Sequence, residues 1–326
     1  MFNIAVMVVG GGILAWMMHD IGWAKLVEVA RGVGSAFAII LGLDVIALLI
    51  DARALHTFLG PASARVSYWR VLVAQASGRA INVVTPLGAL GEPTKLSMLV
   101  AYAPRGRVVS ALVLMNLSTL YISVLVMIIG TPITLLSVDL PRALKITVGI
   151  GMGVLIPLVI VLGVLVQRGA LSTLIGLLRR VRLISSDRRD RWRKQLVEVD
   201  RHIAELYKKR STGTWHGILW VLLSRLITWF ATILLIHELG VVVSPLLVVG
   251  VLSVGVLIQW VASIVPLGLG LADGGNYALF DLLGAPGMHG AFVTMLNRAR
   301  SLLVALVGFA IMLIFSTGDR LVRPKR

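Results

Sequence analysis

The sequence predicts an all-α polytopic membrane protein of about six to eight spans, with two re-entrant broken hairpins in an inverted-topology repeat. Three observations carry this. The 326 residues are 58% hydrophobic and only 14% charged, with mean hydropathy +0.93, far more apolar than a soluble domain requires. A broken, acid-bearing phrase occurs twice, as Asn82-Val-Val-Thr-Pro86-Leu-Gly88-Ala-Leu-Gly91-Glu92 and as Ile264-Val-Pro266-Leu-Gly268-Leu-Gly270-Leu-Ala-Asp273. Basic residues, finally, are concentrated on one side of the hydrophobic segments.

Apolar runs long enough to span, roughly 17–25 residues each, lie at 2–18, 33–50, 108–130, 145–166, 217–237 and 291–315. Residues 67–103 and 243–285 are hydrophobic but interrupted by Gly and Pro. The organisation read from this is an N-terminal span and outer loop at 1–32, then a first repeat at 33–130 containing the hairpin 67–103. A connecting span and a basic loop follow at 131–213, and a second repeat at 214–326 contains the hairpin 243–285 and a cytoplasmic tail. The N-terminus lacks a positive stretch and a small-residue cleavage site, so 2–18 reads as a retained span. With no Cys in the chain, disulfides, thiolate nucleophiles and thiolate metal sites are excluded.

The net charge of +16 does not point to nucleic acid, because it is unevenly placed. Residues 168–210 hold 13 Lys/Arg against 5 Asp/Glu between two spans, the mark of a cytoplasmic loop. Within it, Asp187–Arg210 reads as a charged helix with Trp192, Leu196, Val199, Ile203 and Leu206 on an apolar stripe. It is suited either to anionic headgroups or simply to solvent as a topology-setting loop. With the N-terminus, this loop and the C-terminal tail inside the cytoplasmic (inner) membrane, 22 basic residues fall inside, 4 outside and 5 within membrane segments. That assignment makes 67–103 a hairpin entered from the cytoplasm, and 243–285 a hairpin or an even number of crossings entered from outside. The pairs Pro86/Pro266, Glu92/Asp273, Pro104/Pro286 and Asn116/Asn297 are offset by 180, 181, 182 and 181 residues, a register expected of inverted repeats in carriers.

Eight ionisable residues sit inside the hydrophobic segments: Asp44, Arg79, Glu92, Lys95, Arg225, Asp273, Arg298 and Arg300. Each costs roughly 2.5–3.5 kcal/mol at mid-membrane on insertion scales, so each is expected to pair or to face water. Five are basic and three acidic, which suggests a site awaiting an anion such as a phosphate-bearing headgroup. Internal pairing is the competing reading, and Asp44 with Arg225, repeat-equivalent and at similar depth, is its foremost pair, structural or coupling. The Gly-rich breaks supply half-helix N-termini suited to anions. There Glu92 and Asp273 either cap the helices or give way to a substrate phosphate. Glu92, Lys95, Asp273, Arg298 and Arg300 are expected to converge near the midplane.

At these motifs the chain resembles the lysylphosphatidylglycerol synthase transmembrane region, or flippase-like integral membrane family. The family's Asn–Pro–Gly–Gly–acid–x–x–basic signature is matched by Asn82, Pro86, Gly88, Gly91, Glu92 and Lys95. Its Pro–Gly–Gly–acid signature is matched by Pro266, Gly268, Gly270 and Asp273, and its Arg–x7–Gly pattern by Arg300 and Gly308. The chain departs from the pattern with Lys95 where Arg is usual, Asp273 where Glu is usual, and two extra residues between Pro86 and Gly91. With the intramembrane Arg298 as a further candidate contact ranked below Arg300, the resemblance implies translocation of an anionic, aminoacylated, hopanoid or polyprenyl-phosphate lipid, with substrate contacts at Asn82, Gly88, Gly91, Glu92, Lys95, Gly268, Gly270, Asp273 and Arg300. It implies no cofactor and leaves room for an oligomer. The synthase's soluble domain is absent, so lipid synthesis is not expected of this chain. The alternative is an intramembrane enzyme or accessory subunit of lipid-linked glycan assembly. Against it stand the lack of an HExxH or DxxD-type metal cluster and of a nucleophile with a nearby base.

Overall fold

The computed structural model describes residues 34–85, 90–138, 212–263 and 270–322, with scattered positions between 149 and 161. Regular structure among them is entirely helical. Helix α1 (Ser35–Phe58) leads through a 3-10 turn (Gly60–Arg65) into α2 (Tyr68–Val84), the short α3 (Gly91–Leu99) and the long α4 (Arg105–Ser137). After the connecting region come α5 (Thr212–Glu238), α6 (Pro245–Gly250), a π-helical turn (Val251–Gly255), α7 (Val256–Ala262), α8 (Leu271–Leu282) and α9 (Gly287–Val322). The expected spans at 2–18 and, but for those scattered positions, 145–166 lie outside the described residues, as does the basic loop 167–213.

Among the described residues, five stretches are long and apolar enough to cross a membrane: Ser35–Phe58, Arg105–Ser137, Gly213–Glu238, Pro245–Ala262 and Gly287–Ile314. Their exposed faces carry Ile39, Leu125, Ile129, Phe230 and Ile314, side chains that water would not leave uncovered but a hydrocarbon solvent accepts. This is a multi-pass membrane protein. Pro245–Ala262, part of the segment read from sequence as a broken hairpin, runs helical throughout because the π turn absorbs an extra residue without ending the helix.

Packing crosses between the two halves of the sequence. Helices α1 and α5 lie antiparallel: a Cβ on Gly217 would meet the Phe58 ring, while further along α5 Arg225 reaches back to Asp51. Helix α9 lies on α2, where a Cβ on Gly308 would come within 2.6 Å of the Ala76 carbonyl oxygen and 2.7 Å of the Ala80 Cβ. In turn α4 meets the π turn, since a Cβ on Gly130 would stand 2.7 Å from the Ser253 Cβ.

Two large apolar cores result, beside a small cluster around Met127 of α4. One joins Phe37 and Ile40 of α1, Ile81 and Val84 of α2, Leu235 of α5, Phe280 of α8, and Leu296 and Leu302 of α9. The other joins Leu55 and Phe58 of α1, Val71 and Ala74 of α2, Leu99 of α3, Met115 of α4 and Val221 of α5. Along α1, α2 and α5, buried or half-buried polar side chains lie between those two sets: Asp44 and Asp51, Gln75, Ser77 and Arg79, and Ser224 with Arg225. A polar stratum thus divides the bundle at mid-length.

Candidate functional site

The stratum is built by helix periodicity. Asp44 and Asp51 are seven residues apart, two turns, and share one face of α1; Gln75 and Arg79 share a face of α2 at four-residue spacing. Both aspartates, Gln75, Ser224 and Arg300 are buried. Arg300 of α9 binds Asp44 in a fork, Nε donating to Oδ2 at 2.9 Å and Nη2 to Oδ1 at 2.7 Å, while its Nη1 donates to Asn297 Oδ1 at 2.8 Å. Arg225 of α5 gives Asp51 Oδ2 a single contact, from Nη2 at 3.2 Å. Ser224 beside it donates to the Ala47 carbonyl at 3.1 Å.

The expected Asp44–Arg225 pair therefore does not form. In the antiparallel register that sets Gly217 by Phe58, Arg225 stands level with Asp51, and Asp44 lies two turns on, about 10 Å at ~1.5 Å per residue. Equivalence within a repeat places residues at like positions in their own helices; it does not make them touch. Sequence reading also closed the first span at residue 50, at the first charge after the apolar run, and so took Asp51 for a loop residue. Helix α1 continues to Phe58, which brings Asp51 inside. The seven-residue spacing from Asp44 was the signal that could have found it.

Arg79 completes the stratum from α2. It lies within electrostatic range of Asp51, Arg225, Asp44 and Arg300, yet forms no ion pair or hydrogen bond with the described residues, and its Nη1 is buried without a partner. Asp51 Oδ1, Arg225 Nε and Gln75 Oε1 are likewise buried and unpartnered. Among the described residues three guanidinium groups face two carboxylates there, one positive charge in excess. The side chains of this stratum can hold an oxyanion, since Arg presents donors in a fixed fork.

The two hairpins use their acids differently. In the first, the Gly91 amide, at the start of α3, donates to Asn82 Oδ1 at 2.8 Å. A Cβ on Gly91 would collide with that same oxygen and with the Gly78 carbonyl, so only glycine lets α3 start against α2. Glu92 does not cap α3. It accepts from Lys95 Nζ at 2.7 Å across one helical turn, with Lys95 buried and Glu92 Oε2 left without a partner. In the second hairpin Gly270 takes a φ of 78°, a left-handed conformation suited to glycine. Its amide donates to Asp273 Oδ2 at 2.9 Å, which caps the start of α8. The same oxygen accepts from Arg298 Nη2 at 2.6 Å.

The residues singled out from sequence thus fall into three sets. Asn82, Gly91, Glu92 and Lys95 meet in the first hairpin; Gly270, Asp273 and Arg298 meet in the second; Asp44 and Arg300 join the central stratum with Arg225. Arg298 and Arg300, two positions apart on α9, turn to different partners because a step of two rotates by about 200° around a helix. Gly88 and Gly268 lie outside the described residues. Among the described residues no cluster of three or more His, Cys, Asp or Glu that could hold a metal occurs.

No curated protein and no solved structure matches the chain. The model of one family, described as the lysylphosphatidylglycerol synthase TM region, matches residues 3–308. With nearly the whole length covered and its apolar helices carrying these hairpin motifs, the chain belongs to that family of membrane proteins.

Proposed function

We propose that this chain is a carrier that moves a phosphate-bearing lipid across the cytoplasmic membrane. The observation that carries this reading is Arg79, whose Nη1 is buried and unpartnered in a cluster of three arginines and two aspartates. An uncompensated buried charge costs several kcal/mol in effective terms, and a fold that only needed stability would have paired or replaced it. A phosphate anion would neutralise the excess at mid-length of the bundle.

Element order supports alternating access. A long helix, a hairpin of two shorter elements and a second long helix occur twice, starting at Ser35, Tyr68, Gly91 and Arg105 and again at Thr212, Pro245, Leu271 and Gly287. With the basic loop inside, the two sets face opposite ways, and the stratum lies where they interleave. The chain is read as a transporter and not as an enzyme.

The test is reconstitution of the full chain into vesicles with headgroup-labelled phosphatidylglycerol, scoring protein-dependent exposure of label across the bilayer. Arg79→Gln is expected to abolish movement while the protein remains folded, and Arg79→Lys to retain part of it. Unchanged movement in Arg79→Gln would remove the basis for this reading.

A further inference from the structure

Away from the stratum, the end of the bundle formed by the C-terminus of α1 and the start of α2 holds a basin of about 680 Å³ lined by His56 and residues 63–70. Its lining residues include Arg65 and Arg70 and no acid. Neither arginine forms an ion pair with the described residues, and both are exposed. The basin is held in shape by its own contacts. His56 Nε2 donates to the Val66 carbonyl at 2.9 Å, and the Tyr68 hydroxyl donates to the Leu49 carbonyl at 2.9 Å, so the segment after α1 is tied back onto α1. The Arg70 guanidinium carbon sits 3.9 Å above the centre of the Tyr102 ring, which fixes where its donors project.

Trp69 lines the basin yet is 64% exposed, and Trp215, near the start of α5 at the same end of the bundle, is 66% exposed. Indoles in such positions mark the headgroup level of a bilayer. The basin therefore opens at the depth of lipid phosphates, on the face that the charge bias assigns to the cytoplasm, where anionic headgroups are enriched. Its volume is within the ~300–1,000 Å³ of ordinary ligand sites. That accommodates a phosphodiester headgroup and leaves the acyl chains against the apolar helix faces.

We propose that this basin is a second site, which binds the phosphodiester of an anionic membrane lipid on the cytoplasmic surface through Arg65 and Arg70. The proposal rests on the lipid-carrier reading for its purpose, as a loading position, but not for its existence. Arg65 and Arg70 grip the phosphate oxygens, the Ser63 and Ser67 hydroxyls line the same space, and Trp69 sets the depth.

The experiment uses the absence of Cys. Ala64→Cys, in the basin wall, is labelled with a thiol reagent in the full chain purified in detergent. Dihexanoyl phosphatidylglycerol, dihexanoyl glycerol or sodium phosphate is added as competitor. The phosphatidylglycerol is expected to protect the thiol, the neutral glyceride and free phosphate at equal concentration to protect little. Because a charge-assisted hydrogen bond is worth about tenfold in affinity or more, Arg65→Gln, a change at an exposed side chain without an ion-pair partner among the described residues, should raise the protecting concentration about tenfold. Equal protection by the neutral glyceride, or by free phosphate, overturns the assignment to a lipid phosphodiester, and so does absence of protection. Arg79→Gln in the Ala64→Cys chain separates the two readings: it should lose lipid movement and keep protection. Loss of protection there would mean that the basin is not a separate site. Protection without any lipid movement by the unsubstituted chain would leave the basin standing and remove the carrier reading.

Discussion

Arg300 and Asp44, 256 residues apart in sequence, face each other through two parallel hydrogen bonds with both side chains buried. The pair fastens the last helix of the second half to the first helix of the first. The family likeness marks Arg300 as a headgroup ligand; its carboxylate partner in the structure is Asp44, and Asp273 is held by Arg298.

Breaking a buried pair strands a charge and costs about 3–5 kcal/mol, whereas replacing both members can be nearly neutral. Arg300→Gln and Asp44→Asn are therefore each expected to lower the unfolding midpoint in detergent sharply, and the double variant that combines them to regain most of it. Additive losses in the double variant would show that the two residues do not act as a pair.

Geometry separates the two ion-paired arginines of the stratum. Arg300 uses a fork, and Arg225 a single 3.2 Å contact to Asp51. A lysine can reproduce one contact but not two parallel ones. Arg225→Lys should cost clearly less thermal stability than Arg300→Lys, which should lose about 1.5–3 kcal/mol, the worth of a charge-assisted bond. Equal losses would contradict the difference in their geometry.

Hydropathy made the long helices legible, because burial in hydrocarbon forces such patterns on any sequence. Contact partners were less legible. Asp51 was hidden because a charge at the end of an apolar run reads as the end of a span, and only the helical register shows that α1 continues. Asp44 was matched to Arg225 on repeat position, which carries no information about antiparallel register. Arg79 was visible as a charge in a hairpin, but that it stands unpartnered among two other arginines depends on three helices from both halves meeting, which no local pattern encodes. The roles of Glu92 and Asp273 diverged for a local reason: a lysine three residues on claims Glu92, and Asp273 reaches back to a glycine amide.

Gly91 and Gly308 hold helices at a closeness a methyl group would prevent. At Gly91 the obstacles are Asn82 Oδ1 and the Gly78 carbonyl; at Gly308 they are the Ala76 carbonyl oxygen and the Ala80 Cβ. These are backbone atoms or short side chains, which cannot swing aside, and overpacking of this kind costs about 1–3 kcal/mol. Gly91→Ala should also break the Asn82 hydrogen bond, so Asn82→Ala is expected to be the milder of the two. Thermal unfolding of the three variants tests this, and a stable Gly308→Ala protein would show that α9 does not sit against α2 as described.

Topology offers the broadest test. Val242, between α5 and α6, is 88% exposed, and Met288, at the start of α9, is 62% exposed; neither loop region, 238–246 or 284–290, carries Lys or Arg. Loops free of basic residues belong outside by the charge rule, and the connections at 59–67 and 100–104, with Arg65 in the first and Arg105 and Arg107 directly after the second, belong inside. Val242→Cys and Met288→Cys should therefore both react with an impermeant thiol reagent applied to intact cells, while Ala64→Cys should react only after the membrane is opened. The Cys-free chain gives each measurement a blank background. Labelling of Val242→Cys and Met288→Cys from opposite sides would mean an odd number of crossings between α5 and α9, and the two halves could not then be inverted copies of each other.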